Sequence, residues 1–140
     1  MSKAKKVYRI TPTQNRQKKY MTAVWDFAVD GGAAETTPRL TSILPKGAVI
    51  VDHVVETLKT MSASGTPTLI VKVGPTEITD SALAWSNFNT ALEVAMPATD
   101  TGKMVNAGAI SWKFSADVTG GKMAVTVGYF EAGDYLGLYN

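Results

Sequence analysis

The sequence predicts an all-β, mainly antiparallel domain with a β-sandwich or jelly-roll-like fold, and three observations carry that expectation. Apolar and polar residues alternate with a period of two over several runs, which sends successive side chains to opposite faces of a strand. The runs are short, roughly six to eight of them, and turns rich in glycine separate them. With 140 residues and 45% hydrophobic content, the chain suits one core and one domain.

Taken in order, the first 25 residues hold seven basic side chains and no acidic one, leaving seven basic against twelve acidic residues for the rest of the chain. The protein therefore reads as a mildly acidic body with a basic N-terminal arm over 1–20 and a single β-sandwich domain over 21–140. In the arm, Lys3, Lys5, Lys6, Val7, Tyr8, Arg9, Ile10, Arg16, Lys18 and Lys19 are the candidate partner-docking residues. They combine positive charge with one short apolar cluster, which Pro12 ends. Such a segment suits the surface of a neighbouring subunit or the phosphates of a nucleic acid, and a solvated tail is the plainer alternative.

Met21 to Val29 alternates, with Ala23, Trp25, Phe27 and Val29 on one face, and Asp30, Gly31 and Gly32 close it as a turn. Pro38 disfavours a central strand over Ala33 to Ser42, where Leu40 and Ile43 can still reach the core. Leu44 to Thr60 is the longest β-branched run. Its apolar residues occupy both parities, so the strand is either covered on both sides or bulged near Asp52 and His53. Thr68 to Val73 is expected to return as its hairpin partner. From Ser81 to Met96, Trp85, Phe88, Leu92 and Met96 have helical spacing, yet Asn87, Asn89 and Thr90 are poor helix formers, so a short helix or an irregular crossover is expected near 81–96. Ile110, Trp112, Phe114, Ala116 and Val118 then alternate up to Thr119, Gly120 and Gly121, after which Met123, Val125, Val127 and Tyr129 resume the pattern. That stretch reads as a second hairpin, apolar on one face.

Chemistry is sparse. No cysteine is present, which removes disulfides, thiolate metal sites and cysteine nucleophiles. His53 is the only histidine and lies inside a strand run, more in keeping with packing than with general-base work. One histidine without cysteine also argues against structural zinc. Asp52 with Glu56, and Glu131 with Asp134, are the nearest approach to a glycosidase pair, and solvated strand faces explain them more simply. Neither a GxxxxGK[ST] nor a GxGxxG loop occurs. No cofactor, metal or catalytic residue is expected. Trp25 and Trp112 sit on the apolar parity of their strands and read as core, which leaves Trp85 as the one tryptophan available to a carbohydrate ligand or a subunit contact. No apolar run approaches the roughly 20 residues of a membrane helix, and the basic N-terminus lacks a signal-peptide core.

The order LPKGAVI into a long strand, a short strand ending at Gly74, a variable middle, and a GGK turn leading into MAVTVGYF resembles small β-sandwich structural proteins of tailed bacteriophage virions, over about Leu40 to Phe130. The resemblance implies a non-enzymatic protein of the capsid decoration, head-fibre or tail accessory type, made in the bacterial cytoplasm and resident in the virion. It further implies a homo-oligomer, a trimer or hexamer, bound to other virion proteins such as the major capsid protein, with no membrane partner. A carbohydrate-binding host-recognition module and a nucleic-acid binder using the arm stand as the other function classes.

Overall fold

The computed structural model describes residues 18–79, 81–96 and 103–131. Ten strands make up two sheets, and every strand pair among the described residues is antiparallel. The strands are β1 (Lys19–Asp26), β2 (Glu35–Thr36), β3 (Ile43–Leu44), β4 (Val49–Ser62), β5 (Leu69–Val73), β6 (Thr76–Glu77), β7 (Val94–Ala95), β8 (Lys103–Met104), β9 (Gly108–Phe114) and β10 (Gly120–Phe130). One sheet runs β1-β10-β4-β7, with β8 also on β4, and the other runs β2-β9-β5-β6, with β3 also on β9. β2 and β3 both lie along β9, and β7 and β8 both lie along β4, so each pair counts as one broken strand of its sheet. Counted that way there are eight strands, ordered first-eighth-third-sixth and second-seventh-fourth-fifth. This is an all-β sandwich, as the periodicity predicts, and its strand order is jelly-roll-like.

The core fills the space between the sheets. From the first sheet come Ala23, Trp25, Ile50, His53, Val55, Met123, Val125, Val127 and Tyr129, and from the second Leu69, Val71, Val73, Ile110, Trp112 and Phe114, all buried. Trp25 meets Phe114 edge to face at 5.7 Å, and Phe88 lies 6.3 Å from Phe114. Such contacts between sheets are worth about 0.5–1.5 kcal/mol each beyond burial.

Several expectations are corrected by this topology. The pair expected as a hairpin over 110–129 is not one: β9 belongs to one sheet and β10 to the other, so residues 115–119 arch across the core. The 69–73 strand likewise lies across from β4 rather than beside it. The alternation is the same in both cases, because either geometry points one parity at the core. Facing sheets lie about 10 Å apart, against about 4.8 Å between paired strands, and the five residues 115–119 span the larger gap. Gly120 and Gly121 fall inside β10, where Gly121 adopts φ 121° at a register irregularity opposite Ser62 and Lys59. Among the described residues, the short hairpin is the one that joins β5 to β6 through Gly74 and Pro75.

β1 stops at Asp26, and Phe27–Asp30 form a one-turn helix, α1, with Phe27 and Val29 exposed. The aspartates cause the change. Asp26 Oδ1 accepts from Ala28 N, and Asp30 Oδ2 accepts from Asp26 N, which caps the turn from both sides. Leu40 and Ile43 do not enter the core either; they are 69% and 70% exposed. In β4 the parity switch is real: Gly128 pairs with Asp52 and Tyr129 with Ile50, so Val51 is an extra residue and Ile50 and His53 both face inward. The 81–96 segment is the irregular crossover, with a single 3₁₀ turn at Trp85–Asn87.

Candidate docking surfaces

The expected docking residues Lys3, Lys5, Lys6, Val7, Tyr8, Arg9, Ile10 and Arg16 lie outside the described residues. Lys18 and Lys19 lie within them, at the start of β1, and both are ion-paired. Lys18 Nζ bonds the Asp52 carboxylate, and Lys19 Nζ is 2.9 Å from Glu131. The first pair crosses the outer face of β10 above Gly128, where a Cβ would meet the ends of the Asp52 and Lys18 side chains and force them to shift, so glycine leaves room for the crossing. Asp52 holds the Lys18 ammonium above its ordinary pKa, chiefly through their hydrogen bond, and the Tyr20 ring lies 5.2 Å from the same nitrogen. Because Lys19 is paired with Tyr129 in the ladder and with Glu131 by charge, the chain enters and leaves the domain at the same end of one sheet.

Exposed apolar side chains gather on the two opposite edges of that sheet. One edge is β7 with β8. Leu92, Val94 and Met96 alternate outward there, Leu92 being 90% and Met96 71% exposed, and Met104 continues the row along β8. Leu92 is the only non-glycine residue with positive φ, 72°, among those described. Its N–H bonds Thr57 O and Thr57 N bonds Glu93 O, which ties the strained turn to β4. Sequence reasoning missed this row by assigning Leu92 and Met96 to a helical face. The signal was nonetheless present in the two-residue spacing of Leu92, Val94 and Met96.

The opposite edge is formed by the looped-out residues 37–42 between β2 and β3. This strap crosses from β9 to β1: Val24 N bonds Leu40 O, Ser42 Oγ donates to Thr22 O, and Thr41 Oγ1 donates to Ile110 O. These bonds hold the strap in place, and Leu40 and Ile43 are left exposed to solvent. Asp30 Oδ1 accepts from Arg39 N, which draws α1 against the strap and adds Val29 to the same flank.

The groups examined for chemistry are engaged structurally. His53 is buried, with Nε2 3.0 Å from Thr79 Oγ1, which also accepts from Val71 N. Asp52 and Glu131 neutralise lysines as described. No group of three or more His, Cys, Asp or Glu suited to a metal occurs among the described residues, nor does a helix long and apolar enough to cross a membrane. Trp85 is half-buried, edge-on to Phe88 at 5.4 Å, beside an open depression of about 360 Å³ lined by Thr66, Thr68, Ala84 and Ser86. It packs against the core cluster and also lines that depression. The outer face of the second sheet is charged, with Lys113 3.8 Å from Glu35 and Lys72 opposite Glu77.

No family model matches the chain, and no curated protein sequence matches it. Solved structures do. The fold is similar to that of a chain of the cyanophage Pam1 capsid asymmetric unit, with 20% identity, coverage of 94% of each chain and a TM-score of 0.56. It is similar as well to a chain of the acidic stable capsid of Helicobacter pylori bacteriophage KHP30, with 18% identity, 83% of this chain and 90% of that one, and a TM-score of 0.53. A chain of the capsid of Ralstonia phage GP4 gives 16% identity, 81% and 85% coverage, and a TM-score of 0.51. At these identities the likeness is one of fold, and it spans most of each chain.

Proposed function

We propose that the protein is a structural component of a tailed-phage virion that acts by binding other proteins. It decorates or cements the capsid, or another virion part, as a homo-oligomer. The observation that carries this reading is the end-to-end fold likeness to chains from three phage capsids that share at most 20% identity with it. Fold alone never specifies function, and here the surface chemistry supports the same reading. Apolar side chains on both edges of one sheet suit subunit contacts. The engagement of His53, Asp52 and Glu131 in packing and ion pairs leaves their chemistry to stability. The arm and the C-terminal residues depart from one end of the sandwich, so that end is the pole proposed to meet the shell.

The test is co-sedimentation of the purified protein with particles assembled from the major capsid protein of the same phage without it. Migration with the particles in a fixed ratio per shell subunit is expected. Protein left at the top of the gradient, together with its absence from the peptides of purified virions, overturns the reading.

A further inference from the structure

We infer that the two apolar flanks bind each other between copies: the β7–β8 edge of one copy seats on the strap flank of the next, in a head-to-tail contact. The inference rests on the homo-oligomer of the proposed function and names its surfaces. β1 and β7 are the two edges of a four-strand-wide sheet, three strand spacings or about 14 Å apart. Exposed apolar residues lie beside each: Leu92, Val94 and Met96 on and next to β7, and on the other side Leu40 in the strap on β1, Val29 in α1, and Ile43 where the strap rejoins β9. Among the described residues, nothing buries either group.

Charge decides what covers them. Val94 lies opposite Glu56 in the ladder, so a carboxylate borders the first row, while the Glu93 carboxylate accepts from Thr90 N. The exposed Arg39 borders the second, and the Asp30 carboxylate beside it is occupied by the main-chain N–H groups of Asp26 and Arg39. Arg39 on one flank can therefore meet Glu56 on the other, whereas the first flank meeting itself would set Glu56 against its own copy. A head-to-tail contact covers both flanks with one interface and closes into a ring when the rotation between copies allows. It also covers the outer side of β7, a bare strand edge that would otherwise invite indiscriminate pairing. Leu92 fits this assignment. A leucine held in the left-handed region with its side chain in water is a local cost that its own domain does not recover.

The experiment is sedimentation velocity on the full chain and three variants, with circular dichroism confirming that each folds. The wild type is expected to be oligomeric at tens of micromolar. Val94→Glu and Leu40→Glu, both surface changes on opposite flanks, should each weaken association by roughly 30-fold or more. Mixing the two variants is the decisive step. Each retains the flank the other has lost, so a one-to-one dimer should form that neither makes alone. A wild-type monomer overturns the inference, as does a Leu40→Glu protein that still assembles normally or a mixture that yields no dimer. Residues 132–140, which hold Tyr135, Leu136, Leu138 and Tyr139, are the rival cover. A chain ending at 131 should still assemble, and its loss of assembly would assign the apolar edge to that segment. Particle co-sedimentation of wild-type protein reads the virion role separately, so the two conclusions can fail independently.

Discussion

At the residue scale, the two fully buried tryptophans are not equivalent. Trp25 Nε1 donates to Gly31 O at 3.1 Å, whereas Trp112 Nε1 is buried with no hydrogen-bond partner among the described residues. An orphaned buried donor costs about 1–3 kcal/mol, so replacing it by an apolar ring recovers part of what the smaller ring loses in packing. Trp112→Phe should therefore destabilise less than Trp25→Phe, which strips Gly31 O of its donor, and urea denaturation of the pair measures the difference. Full truncation is another matter: Trp112→Ala should cost about 3–5 kcal/mol. The adjacent Lys113→Ala removes only an exposed pair with Glu35, worth at most about 1 kcal/mol. Equal shifts in the unfolding midpoint for those two changes would contradict the inward parity of β9.

At the element scale, periodicity was legible and pairing was not. The inward residues Trp25, Ile110, Trp112, Phe114, Met123, Val125 and Val127 follow directly from alternation, and the bulge near Asp52 is one of the two readings that its mixed parity allows. Partners did not follow, since Phe114 and Met123 face the same core whether their strands pair or lie across it. The helix-capping aspartates at 26 and 30 ended β1 early, a local competition that the alternation through Phe27 and Val29 concealed. At the β7 edge, a helical reading of Leu92 and Met96 hid the outward row. That edge gives a prediction in which stability and assembly diverge. Leu92→Gly relieves a left-handed backbone worth about 1–2 kcal/mol and adds about 0.5–1 kcal/mol of chain entropy to the unfolded state. The domain should be as stable as before or slightly more so, while self-association weakens. A loss of more than about 1 kcal/mol in the monomer would mean that the Leu92 side chain supports its own domain.

At the scale of the whole molecule, a basic arm was visible in composition, but its attachment point was not. That required seeing β1 and β10 side by side, with Lys19 paired to Tyr129 and Glu131 at one end of the sheet. Lys18 and Lys19 work for the body, one bridged to Asp52 over Gly128 and the other to Glu131. The charge proposed for docking is then that of Lys3, Lys5, Lys6, Arg9 and Arg16, with Val7, Tyr8 and Ile10 as the apolar contacts, able to add a strand to an exposed sheet edge on the shell. Deleting residues 2–17 removes none of the ten strands and neither lysine pair, so the thermal midpoint should stay within about 2 °C of wild type, less than a 1 kcal/mol change would produce. Incorporation into particles should be lost. Replacing Lys3, Lys5 and Lys6 by glutamine should leave weak attachment whose dependence on salt is shallower than that of the wild type, because fewer exposed charges are there to be screened. Both readouts come from gradients run at two salt concentrations. Should the truncated protein enter particles normally, docking belongs to the β-body, and the outer face carrying Tyr20, Thr22 and Thr126 beside the Lys18–Asp52 pair becomes the next surface to mutate.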